Sequence, residues 1–256
     1  VTLFLMSAGL TLVFGIMQVI NLAHGSFYMI GAYVAATVTA RSGSFLLGMA
    51  VALPAAAVVG MLVEMVVLRR LYKKEHVDQV LATFGLIMFF NELTRILWGR
   101  QPLFMDVPSW LSGSVELIPG IPYPSYRIAV IGVGLLVALF LYLMFTRTRI
   151  GMQIRAGASN REMAGALGIN IRLLYTLVFG LGALLAGLAG VMAGPILAVE
   201  AGMGESILIL TFVVIVIGGI GSVRGAFVGA LLVGMVDTLG RAFLPALFRM
   251  FLSSAH

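Results

Sequence analysis

The first forty residues of the chain contain no Asp, Glu, Lys or Arg and are predominantly apolar. A helix of about 20 such residues crosses the hydrocarbon core of a bilayer. The rest of the chain is similar, because its 256 residues are 61% hydrophobic and 10% charged, whereas soluble domains are about 45–50% apolar and 25% charged. The apolar runs are continuous and do not alternate with polar residues as barrel strands do. The sequence therefore predicts an all-α, polytopic integral membrane protein.

Eight apolar stretches are candidates for transmembrane helices, and we treat residues 1–256 as one transmembrane domain. No cleavable signal peptide is expected, because the first apolar stretch passes directly into the second. The chain begins with Val1 inside an apolar run, so further residues are expected upstream. The predicted spans lie at about 1–20, 26–40, 45–68, 79–98, 128–146, 173–195 and 206–218, with an eighth beginning within 218–229.

Charged residues between the spans predict the orientation of the chain. Cytoplasmic loops of membrane proteins are rich in Lys and Arg, which places the basic cluster at 69–74 and the loop at 147–172 inside. The proline-rich segment 100–126 contains few basic residues and is predicted to be external. The basic residues behind the net charge of +6 therefore lie in loops beside membrane spans, where they set the orientation of the chain. We expect no nucleic-acid partner.

The loop at 147–172 is polar and basic, but it also has the features of a short helix. Asn160 or Ser159 could cap a helix that starts near Arg161. Small residues at 164, 165, 166 and 168 would make this helix narrow enough for a groove on a partner protein; the alternative is a basic loop on anionic lipid. The residues predicted to couple to the partner are Arg155, Asn160, Arg161, Glu162, Ala164, Gly168 and Ile169.

Two Gly-rich or polar breaks interrupt the apolar stretches, and they predict broken or re-entrant segments. Irregular backbone at membrane depth must be buried in protein or line a cavity, where free backbone groups could meet a polar solute. The alternative is a tight turn at the cytoplasmic surface. The two breaks resemble each other, which suggests two like-oriented repeats or chance similarity between Gly-rich segments. The candidate pathway residues are Asn21, His24, Gly25, Ser26, Gly218, Gly219, Gly221 and Ser222.

Small residues recur every four positions in the sixth span, at Gly182, Ala186, Gly190 and Gly194. Such a stripe lets another membrane helix approach closely. The other helix could belong to this chain or to a second subunit.

Known catalytic and nucleotide-binding motifs are absent from the sequence. There is no phosphate-binding Gly-x-x-x-x-Gly-Lys-[Ser/Thr] run and no metal-ligand spacing. His24 and Ser26 would point about 200° apart on a helix, so they cannot form a local catalytic pair. Buried acids of the kind used by ion-driven carriers are few, so energy is expected from another subunit. A stand-alone secondary carrier or channel, or an intramembrane enzyme, are the alternatives.

Six stretches together resemble the permease subunits of branched-chain amino-acid ABC importers, in the hydrophobic amino-acid uptake family. The resemblance extends over essentially the whole chain, and the order and spacing of the stretches make it specific. The stretches are GLTLVFGIMQVINLAHG from Gly9, ATFGL from Ala82, TRIGMQIRA from Thr148, AGALGIN from Ala164, LLAGLAGV from Leu184 and GGIGSVRGA from Gly218.

This resemblance implies a subunit in the bacterial inner membrane that pairs with a second, homologous permease. Two ATP-binding subunits would dock on the cytoplasmic face and hold the ATP and Mg²⁺, with no cofactor in this chain. A periplasmic binding protein would deliver the solute. The helix around Glu162–Gly168 would be the coupling helix. The family also includes permeases for urea, short amides and aromatic or other carboxylates, so the solute is left open.

Overall fold

A computed structural model describes residues 1–19, 21–72, 74–118 and 121–253, with side chains except at 117, 118, 121 and 244–253. Within these residues the chain forms ten α-helices and one β-hairpin. The helices are α1 (Thr2–Met17), α2 (His24–Ser42), α3 (Phe45–Val66), α4 (His76–Trp98), α5 (Ser125–Arg147), α6 (Arg149–Ser159), α7 (Arg161–Ala166), α8 (Ile171–Ala193), α9 (Met203–Gly218) and α10 (Val223–Ser253).

The eight predicted spans correspond to eight of these helices, which confirms the all-α, polytopic architecture. Five helices are long and apolar enough to cross a membrane, and they are α3, α4, α5, α8 and α10. The apolar helices α1 and α9 are shorter, with 16 residues each. Helix α2 has 19 residues and includes the polar side chains of its first turn.

The proline-rich segment 100–126 contains a β-hairpin that was not predicted from the sequence. Strands β1 (Ser114–Ile118) and β2 (Ile121–Pro124) pair in antiparallel fashion. Leu103 and Val199 exchange two backbone hydrogen bonds of 2.9 Å, which joins this segment to the chain after α8. We call this side of the molecule the hairpin end. The 23 residues of α5 separate it from the opposite side, the loop end, which carries α6 and α7.

Helix α8 lies at the centre of the molecule. Of its most apolar 18 residues, 83% are buried, compared with 22% in both α4 and α5. Helices α1, α2 and α3 pack around it. The exposed apolar faces of α4, α5 and α10 are the surfaces that lipid would cover.

Glycines bring the central helices unusually close together. A Cβ atom at Gly31 of α2 would lie 2.5 Å from the Gly187 Cα of α8, closer than real Cβ atoms approach backbone. A Cβ at Gly190 would overlap the carbonyl oxygen of Tyr28. Membrane helices associate mainly through such close van der Waals packing, since lipid removes the hydrophobic driving force between them.

A buried carboxylate ties the end of α3 to α8 at the loop end. The side chain of Glu64 is fully buried and accepts hydrogen bonds from Arg69 Nη2 at 2.9 Å, Tyr72 Oη at 2.6 Å and Thr176 Oγ1 at 2.7 Å. Three donors compensate the large desolvation cost of a buried charge. Burial and the hydrogen bond to Glu64 raise the pKa of Tyr72, so its hydroxyl remains a donor.

Candidate functional site

The polar loop folds into two short helices, although the sequence predicted only one. Helix α6 begins after Thr148, whose hydroxyl accepts a hydrogen bond from the Gly151 backbone at 3.1 Å. Helix α7 begins after Asn160, whose Oδ1 accepts from the Met163 backbone at 2.9 Å. Each cap satisfies one of the N–H groups that a helix start leaves free. Of the two predicted capping residues, Asn160 is the one that caps α7.

The end of α7 connects directly to the central helix. Gly168 has a φ of +87°, a left-handed conformation that favours glycine. The Ile169 backbone then donates to the Ala164 carbonyl at 3.1 Å, which closes the helix end. Asn170 immediately caps α8 by accepting from the Leu173 backbone at 3.1 Å. Because the connection is short and capped at both ends, a displacement of α7 would move α8 as well.

Helix α7 and the residue directly after it expose two large apolar side chains, Met163 at 60% and Leu167 at 78%. Neither was predicted from the sequence as a contact residue, because that prediction relied on the small residues of the loop. In fact Ala164 is buried against the rest of the chain and Ile169 is half-buried. The predicted coupling residues that are exposed are Arg155, Asn160, Arg161, Glu162 and Gly168. Apolar side chains inside an otherwise polar loop were the signal that could have identified this surface.

The first break runs from the loop end back into the core. Helix α1 ends at Met17, and Gln18 follows in a left-handed conformation with a φ of 53°. Gln18 lines a small cavity with residues 157–162 at the loop end. Asn21 Oδ1 then accepts from the Ala23 backbone at 3.1 Å, just before α2 begins. The four predicted residues of this break, Asn21, His24, Gly25 and Ser26, are all buried.

His24 lies well below the surface. Its fully buried imidazole lies against Gly9 of α1, eight residues and therefore about 12 Å from the end of that helix. Among the described residues, neither ring nitrogen has a hydrogen bond of good geometry, although the Met6 backbone lies close to the imidazole. Thr11 Oγ1 and Asn21 Nδ2 also lack a partner among these residues. The first break is therefore a polar region inside a largely apolar core.

The second break is a turn at the loop end. Gly219 and Gly221 have left-handed φ angles of 88° and 82°, and Ser222 Oγ accepts from the Gly225 backbone at 3.0 Å. Gly219, Gly221 and Ser222 are exposed and Gly218 is half-buried. A Cβ at Gly15 of α1 would lie 2.9 Å from the Gly221 Cα. The predicted pathway residues of the first break are thus buried, whereas those of the second break are mostly exposed and contact the last turn of α1.

The small-residue stripe of α8 packs against this chain. Gly182 faces Gly9 and Val13 of α1, and Gly190 faces the Tyr28 backbone of α2. Ala186 is fully buried, and Gly194 meets the end of the Met105 side chain. The stripe could have packed against this chain or against a second subunit. In the described residues it packs against this chain.

Comparisons with known proteins agree with this architecture. A family model described as the permease component of the branched-chain amino acid transport system matches residues 1–255. The chain is 32% identical to the high-affinity branched-chain amino acid transport system permease protein BraD of Pseudomonas aeruginosa, over 92% of this chain and 81% of BraD. It is 31% identical to the permease protein LivH of Salmonella typhimurium, over 98% of this chain and 85% of LivH.

A more distant relative is the ribose import permease protein RbsC of Escherichia coli, 27% identical over 91% of this chain and 72% of RbsC. No solved structure matches the chain. The match over the whole chain confirms the resemblance seen in the sequence motifs. The chain belongs to the family of permease components of branched-chain amino acid transport systems.

Proposed function

We propose that this chain is the permease subunit of an ATP-driven importer and that it carries branched-chain amino acids or related small solutes across the membrane. Helix α7 is the observation that carries the ATP-driven part of this proposal. A stand-alone carrier has no need of an exposed Met163 and Leu167 on a polar loop, whereas a docked ATPase would cover them. Burial of an exposed Leu or Met side chain in such a contact contributes about 1.5–3 kcal/mol.

The proposed assembly contains a second, homologous permease, two ATP-binding subunits that hold the ATP and Mg²⁺, and an external solute-binding protein. The chain is a multi-pass protein of the bacterial inner membrane, and its loop end is cytoplasmic. The placement of the basic residues supports that orientation. Arg69 of the first basic cluster contacts Thr176, close to the end of the basic loop at 147–172, which fits the excess of Lys and Arg on the cytoplasmic side.

The connection between α7 and α8 suggests how ATP-driven movement reaches the pathway. Closure of the ATPases would displace α7, and the consecutive turns at Gly168 and Asn170 would pass that movement to α8. Because α8 packs against α1 and α2 through glycines, it would shift the helices on both sides of the first break. Tightly packed helices move as rigid bodies, so the break would absorb the change.

Transport by the purified assembly tests this proposal. The chain is reconstituted in proteoliposomes with its partner permease, the ATPases and the binding protein encoded beside it, and uptake of radiolabelled leucine is measured. We expect uptake that requires ATP and the binding protein. Ribose serves as the comparison solute because of the similarity to a ribose permease. Uptake by the chain alone, driven by an ion gradient without ATP, would contradict the proposal and favour a secondary carrier.

The buried polar atoms around the first break lead to a prediction for the pathway. His24→Leu is expected to lower solute uptake roughly fivefold, while the transporter still assembles. A fivefold loss corresponds to about 1 kcal/mol, the contribution of one hydrogen bond, here between the imidazole and the passing solute. Initial uptake rates and gel filtration of the complex measure the two effects. Ser7→Ala is the control, because the Ser7 hydroxyl is buried on α1 but bonds only to the Phe4 carbonyl of its own helix. Wild-type kinetics for His24→Leu would show that the first break is structural only.

A further inference from the structure

A cavity of about 540 Å³ opens between α1, α5, α6 and the start of α10. Its volume lies within the range of about 300–1,000 Å³ that is usual for small-molecule sites. The cavity is distinct from the first break, since none of Asn21, His24, Gly25 and Ser26 contributes to its lining. It extends from the loop end along α1 as far as Phe4, in the first turn of that helix.

The two parts of the cavity differ in chemistry. The deep part is mostly apolar, with Thr11 as its polar side chain, and Phe4 and Phe227 form its wall with their rings 5.1 Å apart in an edge-to-face arrangement. The part at the loop end carries the other polar side chains, which are Tyr142, Thr146, Arg155, Ser222 and Arg224. A ligand that fits both parts has a polar head at the loop end and an apolar tail directed into the membrane.

The charged side chains of the cavity indicate which charge the ligand's polar head group carries. Arg155 and Arg224 form no ion pair with any residue that the structure describes. The Arg224 guanidinium lies 5.6 Å from the centre of the Tyr142 ring, which holds it at the cavity. No Asp or Glu belongs to the described lining. A zwitterionic amino acid would therefore leave its ammonium group without a partner, whereas an anionic head would meet two arginines.

We propose that this cavity binds an anionic phospholipid of the leaflet at the loop end. The phosphate contacts Arg155 and Arg224, and one acyl chain packs along Phe4, Leu141 and Phe227. Basic pockets between membrane helices on the cytoplasmic side are suited to anionic lipid heads. Arg155 belongs to α6 and Arg224 to the first turn of α10, so the lipid would link the polar loop to the turn between α9 and α10.

Native mass spectrometry of the full chain in detergent tests the site, with phosphatidylglycerol as the probe and phosphatidylethanolamine as the zwitterionic comparison. We expect phosphatidylglycerol to bind more tightly. Arg224→Gln should weaken it roughly fivefold, since a basic residue near an anionic lipid contributes about 1 kcal/mol. Arg147→Gln is the matched control, because Arg147 is exposed at the same end but does not line the cavity. Equal losses in the two variants would indicate general surface attraction and overturn the proposal.

A second variant fills the apolar part without changing any charge. Ala138 of α5 is half-buried and lines the cavity, so Ala138→Phe should weaken phosphatidylglycerol binding at least as much as Arg224→Gln does. Unchanged binding in Ala138→Phe would overturn the acyl-chain contact.

Two further measurements identify the molecule that occupies the cavity. A large molar excess of inorganic phosphate should leave the lipid bound, and displacement by phosphate would assign the cavity to a free anion. The assembled transporter should also retain bound phosphatidylglycerol. Loss of the lipid on assembly would assign the cavity to the partner permease and overturn the proposal.

Discussion

Leu167→Asp is expected to reduce solute-stimulated ATP hydrolysis in the reconstituted transporter to its basal rate. The Leu167 side chain is 78% exposed at the end of α7, so the substitution leaves the fold of the permease intact. It places a charge where we propose that an apolar anchor enters a groove on the ATPase. Loss of a buried leucine side chain from the contact would cost about 1.5–3 kcal/mol of binding free energy. A phosphate-release assay with and without loaded binding protein measures the effect.

Four companion variants sharpen this test. Met163→Asp should act in the same way as Leu167→Asp. Met152→Asp is the matched control, since Met152 is 54% exposed on the same loop but belongs to α6. Glu162→Arg should also abolish the stimulation by reversing a charge on the proposed contact surface. Gly168→Arg should do so as well, but it also strains a left-handed residue and is therefore less specific. Normal stimulation in Leu167→Asp and Met163→Asp would refute the assignment of α7 as the coupling helix.

Gly190→Leu is expected to prevent stable folding of the chain in the membrane. A Cβ at this position overlaps the Tyr28 carbonyl, and the next contact of the same pair of helices, between Gly31 and Gly187, is equally tight. Helices α2 and α8 would have to separate at the centre of the molecule. Overpacking of this kind costs about 3 kcal/mol, a large part of the stability of a typical domain. Yield of monodisperse protein and the midpoint of denaturation in mixed micelles measure the loss.

Gly132→Leu provides the comparison. A Cβ at Gly132 of α5 meets nothing within 4 Å, so leucine there adds only apolar surface in an apolar helix. Replacing a helical glycine also raises helix propensity by about 0.5–1 kcal/mol. We therefore expect Gly132→Leu to be at least as stable as the original chain. Equal stability of the Gly132 and Gly190 variants would mean that the close approach of α2 and α8 is not important for folding.

Much of the secondary structure could be predicted because each signal is local. The apolar stretches at about 45–68, 79–98 and 128–146 correspond to helices within a few residues at each end. Asn160 was identified as a possible cap because capping joins residues two or three positions apart. The first span was predicted to end at about residue 20, whereas α1 ends about three residues earlier, at Met17. Gln18 then adopts a left-handed conformation, for which the sequence contains no signal.

The partners of Glu64 show what local signals cannot predict. Arg69 is five residues away and Thr176 is 112 residues away, yet both bond to the same carboxylate. The pairing depends on where α8 passes the end of α3, which is a property of helix packing. The pairs Glu92 with Arg95 and Asp237 with Arg241, at 3.6 Å and 3.0 Å, differ in this respect. They follow from sequence spacing alone, because residues three or four apart share one face of a helix.

The sequence by itself determined that the chain lies in a membrane, where its apolar helices lie to within a few residues, and to which family it belongs. These properties depend on composition and on short-range pattern. Only the tertiary structure decided that His24 is buried in the core, that Met163 and Leu167 are exposed, and that Arg155 and Arg224 share a cavity. Depth and exposure depend on contacts between helices that are far apart in the chain. Because the sequence is almost uniformly apolar, the pattern of residues along a helix does not show which of its faces is buried.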